Sequence, residues 1–222
     1  MTNILLSRYD ISKKIFSKEF KKHIHKDANV AVIALSFRDS EIANPEDWDK
    51  FYGKKGVLSK AIGKSFKHYG IGLDNIEYID YFRDDAVSAK KKLEKADIIY
   101  FPEGEAQNIM SRVIKLGLYN HIENHKGVVI GFGAGAQIQL AHYHVVDEKR
   151  MCYSLGFRFV DGFCIEPNYN NEDLQNYYIK RVASERDLPV YAIGEDGAII
   201  IEDGKIQVLG DVHCFRKHEA AS

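Results

Sequence analysis

Residues 126–140, with the sequence KGVVIGFGAGAQIQL, place the strongest constraint on how this chain can fold. They begin with the apolar run 128–130 and continue with Gly131, Gly133 and Gly135. Alternate glycines permit positive φ and close backbone approach. A mostly apolar segment compatible with a helix follows. The pattern predicts a buried strand that turns sharply into a helix, with Gly133 at the apex in a positive-φ conformation.

Buried β-branched runs alternate with helical patterns over the segment that leads to this turn. Strands are predicted at 3–7, 29–36, 76–82 and 97–101, and helices at 10–25, 46–69, 85–95 and 106–116. This alternation predicts an α/β fold with a mostly parallel sheet and helices on both faces. Ligands of such folds bind at the carboxyl ends of the strands, where we expect the loops 37–45, 102–105 and 131–135 to converge.

The last third of the chain has a different pattern. Residues 163–166 predict a short strand and 172–184 a helix. From 188 onward, β-branched runs are separated by Glu195-Asp196-Gly197 and Glu202-Asp203-Gly204. Asp-Gly between such runs is a strong hairpin signal, so we expect C-terminal β-hairpins. Without a repeat, a linker or a low-complexity tract, the chain is predicted to be a single domain, 1–222.

Charge and cysteine content exclude several classes of function. The 31 basic and 32 acidic residues give a net charge of −1, which does not support nucleic-acid binding. No apolar run reaches membrane-spanning length, so no membrane partner is expected. Three cysteines without CxxC spacing fit a reducing compartment, and we expect a cytoplasmic protein. No cofactor motif is found and no metal ligands are expected.

Four segments resemble the motifs of one enzyme family. A strand is followed by Pro102-Glu103-Gly104-Glu105 where the family has Gly-Gly, and the glycine-rich turn reads G-F-G-A-G-A where the family has G-x-S-A-G-A. Pro167-Asn168-Tyr169 lies where the family has P-H-[FY], and the family's closing strands are matched by residues 192–199 and 204–210. The chain thus resembles peptidase family S51, which includes dipeptidase E. The resemblance implies a three-layer sandwich of the class I glutamine amidotransferase type.

The same resemblance assigns site positions to this chain. The family's serine nucleophile corresponds to Gly133, and its histidine base corresponds to Asn168. Its acidic third member lies after the turn, where Asp147 and Glu148 both qualify. The positions around the oxyanion hole and pocket are Glu103, Gly104, Glu105 and Ala134.

These substitutions bear directly on catalysis. Glycine has no atom with which to attack, and asparagine has no basic nitrogen near neutral pH. We therefore expect a protein that has lost serine-peptidase activity and acts as a binding or regulatory module. Its expected partner is a small peptide or an amino-acid-like ligand, and its expected state is a monomer or a homodimer. Glu103 and Glu105 are either acids favoured at a helix N-terminus or groups that recognise a cationic ligand.

Two alternatives stay open. In the first, the chain is a hydrolase that acts on small acidic peptides. Water would then be activated by Glu103, Glu105, Asn168 and a nearby histidine. Alternatively it is a glutamine-amidotransferase-like domain, although that family's cysteine is also missing from the turn. His142 and His144 are expected at the end of the turn helix, as surface or capping residues.

Overall fold

The computed structural model describes residues 1–147 and 150–217. The strands are β1 (Thr2–Leu6), β2 (Val30–Val32), β3 (Ile76–Tyr78), β4 (Ile98–Phe101), β5 (Val128–Phe132), β6 (His142–Asp147), β7 (Arg150–Leu155), β8 (Cys164–Pro167), β9 (Val190–Glu202) and β10 (Lys205–Phe215). The α-helices are α1 (Lys14–Phe20), α2 (Pro45–Tyr52), α3 (Val57–Lys67), α4 (Ala86–Glu94), α5 (Ala106–Lys115), α6 (Tyr119–Glu123), α7 (Ala134–Gln137) and α8 (Asp173–Arg186).

The described residues form one large sheet and one separate hairpin. The large sheet has the order β10-β9-β1-β5-β4-β2-β3, and β8 also pairs with β9. From β1 to β3 all neighbours are parallel, as the alternation of strands and helices predicts. β9 runs antiparallel to β1 and to β10. The mostly parallel α/β fold with C-terminal antiparallel strands is therefore confirmed.

Helices cover both faces of the sheet because the strands are apolar on both sides. On one face, Phe16, Phe20 and Phe66 from α1 and α3 pack with Ile4 and Tyr100 of the strands. The other face holds a second cluster, in which α4 to α7 contribute side chains such as Leu93, Ile109, Ile122 and Ala134. Strands buried on both faces are typical of parallel sheets. No helix of the described residues is both long and apolar enough to cross a bilayer.

The arrangement around β9 positions the candidate site. β1 and β8 lie along the same edge of β9 and run toward each other, with Leu6 opposite Ala198 and Pro167 opposite Ile193. Their carboxyl ends therefore meet in the middle of β9. The carboxyl ends of β4 and β5 lie at the same edge of the parallel sheet as that of β1. Four strand ends thus converge on one region, where chemistry-bearing loops are expected in this type of fold.

Two predicted helices differ from the observed ones. The helix expected at 46–69 is divided into α2 and α3 by the segment 53–56. A Cβ atom at Gly53 or Gly56 would clash with the backbone of α2, so this break in the helix requires glycine at both positions. The helix after the glycine-rich turn ends at Gln137, and residues 142–147 and 150–155 form the paired antiparallel strands β6 and β7. The expected position of His142 and His144 on a helix is therefore wrong. Tyr143 and His144 are buried in β6.

One predicted turn is also wrong. Glu195-Asp196-Gly197 lies inside the continuous strand β9, and only Asp203-Gly204 forms a hairpin turn. Residues 194–196 bulge opposite Asp211, since the register passes from Gly210↔Gly197 to Val212↔Ile193. A Cβ atom at Gly194 would overlap the Asp211 carboxylate. The glycine here makes room for a side chain from the neighbouring strand rather than for a change of chain direction.

Candidate functional site

Gly133 lies at the apex of a sharp turn between β5 and α7. Its φ and ψ are 55° and −123°, so the predicted positive φ is confirmed. Its N–H donates to the Leu6 carbonyl oxygen at 3.0 Å, which fixes the apex to the end of β1. A Cβ atom at Gly131 would overlap the Gly135 carbonyl, and one at Gly135 would overlap the Phe101 carbonyl. Each glycine of the motif thus meets a separate steric requirement.

The turn after β4 brings Glu103 to this apex. Ser36 is fully buried, and its Oγ donates to the Glu103 carbonyl oxygen at 2.6 Å. The Ser36 carbonyl oxygen accepts from the Glu105 N–H at 2.7 Å. Between these two bonds lies Gly104, with φ of 147°, where a Cβ atom would overlap the Ser36 backbone. The hydroxyl and carbonyl of Ser36 therefore hold the 103–105 turn in place.

The Glu103 side chain occupies the space into which a side chain at position 133 would project. A Cβ atom built on Gly133 would lie 2.8 Å from the Cγ, Cδ and Oε1 atoms of Glu103. Real Cβ atoms do not approach other heavy atoms that closely. A nucleophile at position 133 and the present conformation of Glu103 therefore exclude each other.

Asn168 is hydrogen-bonded to the same carboxylate. Its Nδ2 donates to Glu103 Oε1 at 3.0 Å, and its backbone N–H donates to Ser7 Oγ at 2.9 Å. Ser7 is fully buried and donates its own hydroxyl proton to the Ile193 carbonyl oxygen. Asn168 has φ of 57°, a left-handed conformation that asparagine tolerates well. The residues at positions 103, 133 and 168 thus form one contiguous group.

Glu105 and Ala134 have structural roles beside this group. Glu105 accepts from Arg38 Nε at 2.9 Å and from Asn108 Nδ2 at 2.8 Å, so both of its carboxylate oxygens are engaged. Ala134 is buried as the first residue of α7. The Glu105 side chain makes no capping hydrogen bond to α5, and its carboxylate is engaged by Arg38 and Asn108. Among the predicted pocket residues, Glu103 is the one whose carboxylate faces the apex.

Arg112 anchors the loop that covers the site, and the sequence alone did not indicate this role. The side chain of this α5 residue is buried, and its guanidinium donates to the Leu35 and Phe37 carbonyl oxygens, both at 2.7 Å. It also donates to Asp39 at 2.6 Å and lies 3.8 Å above the Phe37 ring. The 37–45 loop is therefore held against α5 close to the 103–105 turn.

A cavity of about 330 Å³ opens between these two loops and α2. Its lining includes the acidic residues Glu41 and Glu103, the basic residue Arg38 and the apolar surface of Phe51, Tyr52 and Leu58. Burial raises the pKa of Tyr52 to about 12, above an ordinary value at which the phenol is already neutral at pH 7. The cavity thus combines charged side chains with an apolar wall. The expected convergence of the 37–45 and 102–105 loops is confirmed.

The third, acidic position stays a prediction. Asp147 is the last residue of β6, opposite Arg150 at the tip of the β6–β7 hairpin, and the structure does not describe its side chain. Glu148 lies outside the described residues.

A half-buried acidic residue that the sequence did not single out lies two positions before Asn168. Glu166 is half-buried, and its Oε2 lies 2.8 Å from Nε2 of the buried His144. Gln175 donates to Glu166 Oε1 at 2.9 Å and to the Asn168 carbonyl oxygen at 3.3 Å. No local pattern in the sequence indicates this pair, because it depends on His144 lying in β6 rather than in a helix.

No group of three or more His, Cys, Asp or Glu side chains in residues 1–147 and 150–217 is arranged to hold a metal ion. The hydroxyl protons of Ser7 and Ser36 are both donated to backbone carbonyls, so neither serine is available as a nucleophile in this arrangement.

The family model of Peptidase family S51 matches residues 53–209, which is well over half of the chain and includes the 103–105 turn, the Gly133 apex and Asn168. The chain belongs to Peptidase family S51. No curated protein matches its sequence.

Two solved structures have a similar fold. One is a candidate peptidase E protein from Listeria monocytogenes EGD-e, with a TM-score of 0.67 and 20% identity over 93% of this chain and 96% of that chain. The other is a peptidase from an acI-B1 actinobacterium, with a TM-score of 0.67 and 18% identity over 97% of this chain and 91% of that chain. At such identity these similarities bear on the fold alone.

Proposed function

We propose that this S51 protein has no serine-peptidase activity and binds a small, amine-bearing ligand such as a peptide or an amino acid. The observation that carries the proposal is the contact between Glu103 and the apex. The carboxylate fills the space of the missing nucleophile and accepts a hydrogen bond from Asn168, at the position of the missing base. The three departures from the family pattern therefore fit each other physically.

The composition of the group argues against acyl transfer. A serine hydrolase needs a nucleophile within reach of a base, and neither Gly133 nor Asn168 supplies one. A carboxylate at position 103 would also repel the oxyanion that forms when a carbonyl is attacked. Catalytic sites of this type instead place hydrogen-bond donors at the developing negative charge.

The same features suit a cationic ligand. Glu41 and Glu103 provide two carboxylates in one cavity, and Phe51 and Tyr52 provide an aromatic wall beside them. Arg38 lies in the same cavity wall, but its Nε is paired with Glu105. An ammonium group next to an apolar side chain, as in an amino acid or a short peptide with a free N-terminus, matches this arrangement.

Activity measurements test the catalytic part of the proposal. The wild type and the triple variant Glu103→Gly/Gly133→Ser/Asn168→His are assayed with a panel of Asp-X dipeptides. This variant restores the residues of the family motifs, and histidine, like asparagine, tolerates the positive φ of position 168. We expect turnover in the triple variant alone. Turnover by the wild type would contradict the proposal.

Titration calorimetry tests the binding part. Phenylalaninamide carries an ammonium and an aromatic ring, whereas N-acetylphenylalaninamide has the ring without the charge. We expect the first to bind the wild type more tightly, and Glu103→Gln to remove that preference. Glu105→Gln is the matched control, because Glu105 is already paired with Arg38 and Asn108. Equal binding of both compounds to the wild type would refute recognition of the amine.

A hydrolase that uses Glu103 to activate water is the alternative. Glu103 is exposed and lines the pocket, so a water molecule and a substrate can reach it. This alternative requires that the wild type turns over dipeptides and that Glu103→Gln abolishes the turnover. The same panel of substrates therefore distinguishes it from a binding protein without peptidase activity.

A further inference from the structure

A second cavity is larger than the one beside the S51 site. It has a volume of about 900 Å³ and opens between α3 and the segment 71–78, at the edge of the sheet that ends with β3. A volume of this size is typical of pockets that bind small molecules. Nothing in the proposed function uses it.

The floor of this cavity is apolar. Ile71 and Ile76 are buried in it, and the rings of Tyr52 and Tyr78 form part of its wall. Both phenols are uncharged at neutral pH and do not repel an anion, and burial raises their pKa further. Leu73, which is 68% exposed, extends the apolar surface to the mouth.

The rim is positively charged. Lys54, Lys60, Lys64 and Lys67 line the cavity, against one carboxylate, that of Asp74. Lysines 60, 64 and 67 follow each other at helical spacing on α3, so they stand on one side of the mouth. None of the four lysines has an ion-pair or hydrogen-bond partner within residues 1–147 and 150–217, although other lysines of this chain, such as Lys92, do. The charge around this cavity is therefore uncompensated.

We infer that this cavity is a second ligand site, which takes a small amphipathic anion: an aromatic or aliphatic body that enters the apolar floor and a carboxylate, sulfonate or phosphate that meets the lysines. An uncharged apolar compound would leave the lysines unpaired, and a simple inorganic anion would leave the floor empty. The cavity is distinct from the one beside the S51 site, because Tyr52 is the one residue in the lining of both.

Fluorescence titration with anilinonaphthalene sulfonate tests this inference, with the uncharged N-phenylnaphthylamine as its matched compound. The full-length wild type is compared with Lys60→Gln/Lys64→Gln and with Lys90→Gln/Lys91→Gln on α4, which lie outside the cavity. We expect saturable binding of the sulfonate at one site. It should weaken about tenfold in the first pair of substitutions and stay unchanged in the second, since each exposed charge contributes a few-fold.

Three further measurements complete the test. Raising the ionic strength should weaken sulfonate binding, because exposed charges are screened by salt. Leu73→Asp should weaken binding of both dyes, since it removes apolar surface and adds a negative charge. Decanoate and phenyl phosphate should displace the sulfonate, whereas inorganic phosphate should not. The inference would be overturned if the sulfonate did not bind saturably or bound both lysine variants equally. It would also be overturned if a poly-glutamate peptide displaced the sulfonate while decanoate and phenyl phosphate did not.

Discussion

Adding a side chain at Gly133 gives the most informative test of the site's geometry. Gly133→Ser forces a residue with a Cβ atom into φ of 55° and ψ of −123°, a conformation that costs an L-residue about 1–3 kcal/mol. The new Cβ also displaces Glu103, which then loses its hydrogen bond from Asn168, at a cost of about 0.5–1.5 kcal/mol. We therefore expect the free energy of unfolding to fall by about 3 kcal/mol.

Thermal and urea unfolding measure this change. For a chain of this length the melting temperature should fall by about 6–12 °C. In a Glu103→Ala background the clash is absent, so the serine should cost only its backbone strain. The difference between the two backgrounds is a coupling energy of about 0.5–1.5 kcal/mol.

Gly117→Ser is the matched control, because Gly117 has φ of 67° but no heavy atom within 4 Å of an added Cβ. It should be destabilising through backbone strain alone and show no coupling with Glu103→Ala. A Gly133→Ser variant as stable as the wild type would refute the turn geometry. An equal cost with and without the Glu103 side chain would refute its contact with the apex.

Two other substitutions test how the site is supported, and a third tests how stability depends on pH. Arg112→Leu should reduce the free energy of unfolding by about 2–4 kcal/mol, because it leaves the Leu35 and Phe37 carbonyls without their donor. The control Arg181→Leu, at an exposed position, should change it by less than about 0.5 kcal/mol. Equal effects of the two substitutions in urea unfolding would contradict the role of Arg112. Ser7→Ala should reduce the free energy of unfolding by about 1–3 kcal/mol, since the Asn168 N–H and the Ile193 carbonyl lose their shared partner. An unchanged midpoint of urea unfolding would argue against the bridge that the Ser7 hydroxyl forms between them. Burial lowers the pKa of His125 in the folded state, so the unfolded chain binds the proton more readily and stability should fall as the pH drops below about 6.5. His125→Gln should flatten that part of a melting-temperature profile against pH, and an identical slope would disprove the assignment.

The sequence predicted the features that depend on local pattern. The strand, sharp turn and helix around Gly133 were predictable because each glycine replaces a side chain that the backbone cannot accommodate there. The parallel order of the central strands followed from the alternation of strands and helices. Asn168 was assigned through its place after a short strand, and the structure places it beside Glu103.

The errors arose where a distant segment decides the local structure. Asp196-Gly197 has the composition of a turn, but Asp211 of β10 fills the space beside Gly194 and β9 continues past it. His144 follows a helix-compatible run, yet pairing with β7 places it in a strand and its ring next to Glu166. Glu103 and Gly133 are in contact although they are 30 positions apart in the sequence, so no local pattern indicates this contact.

The most direct test of the central claim is the hydrolysis of Asp-X dipeptides by the wild-type protein, measured by release of free aspartate. The lack of a nucleophile at Gly133 and of a base at Asn168 predicts a rate equal to that of buffer alone. A wild-type rate above buffer that persists through purification and saturates with substrate would contradict the claim.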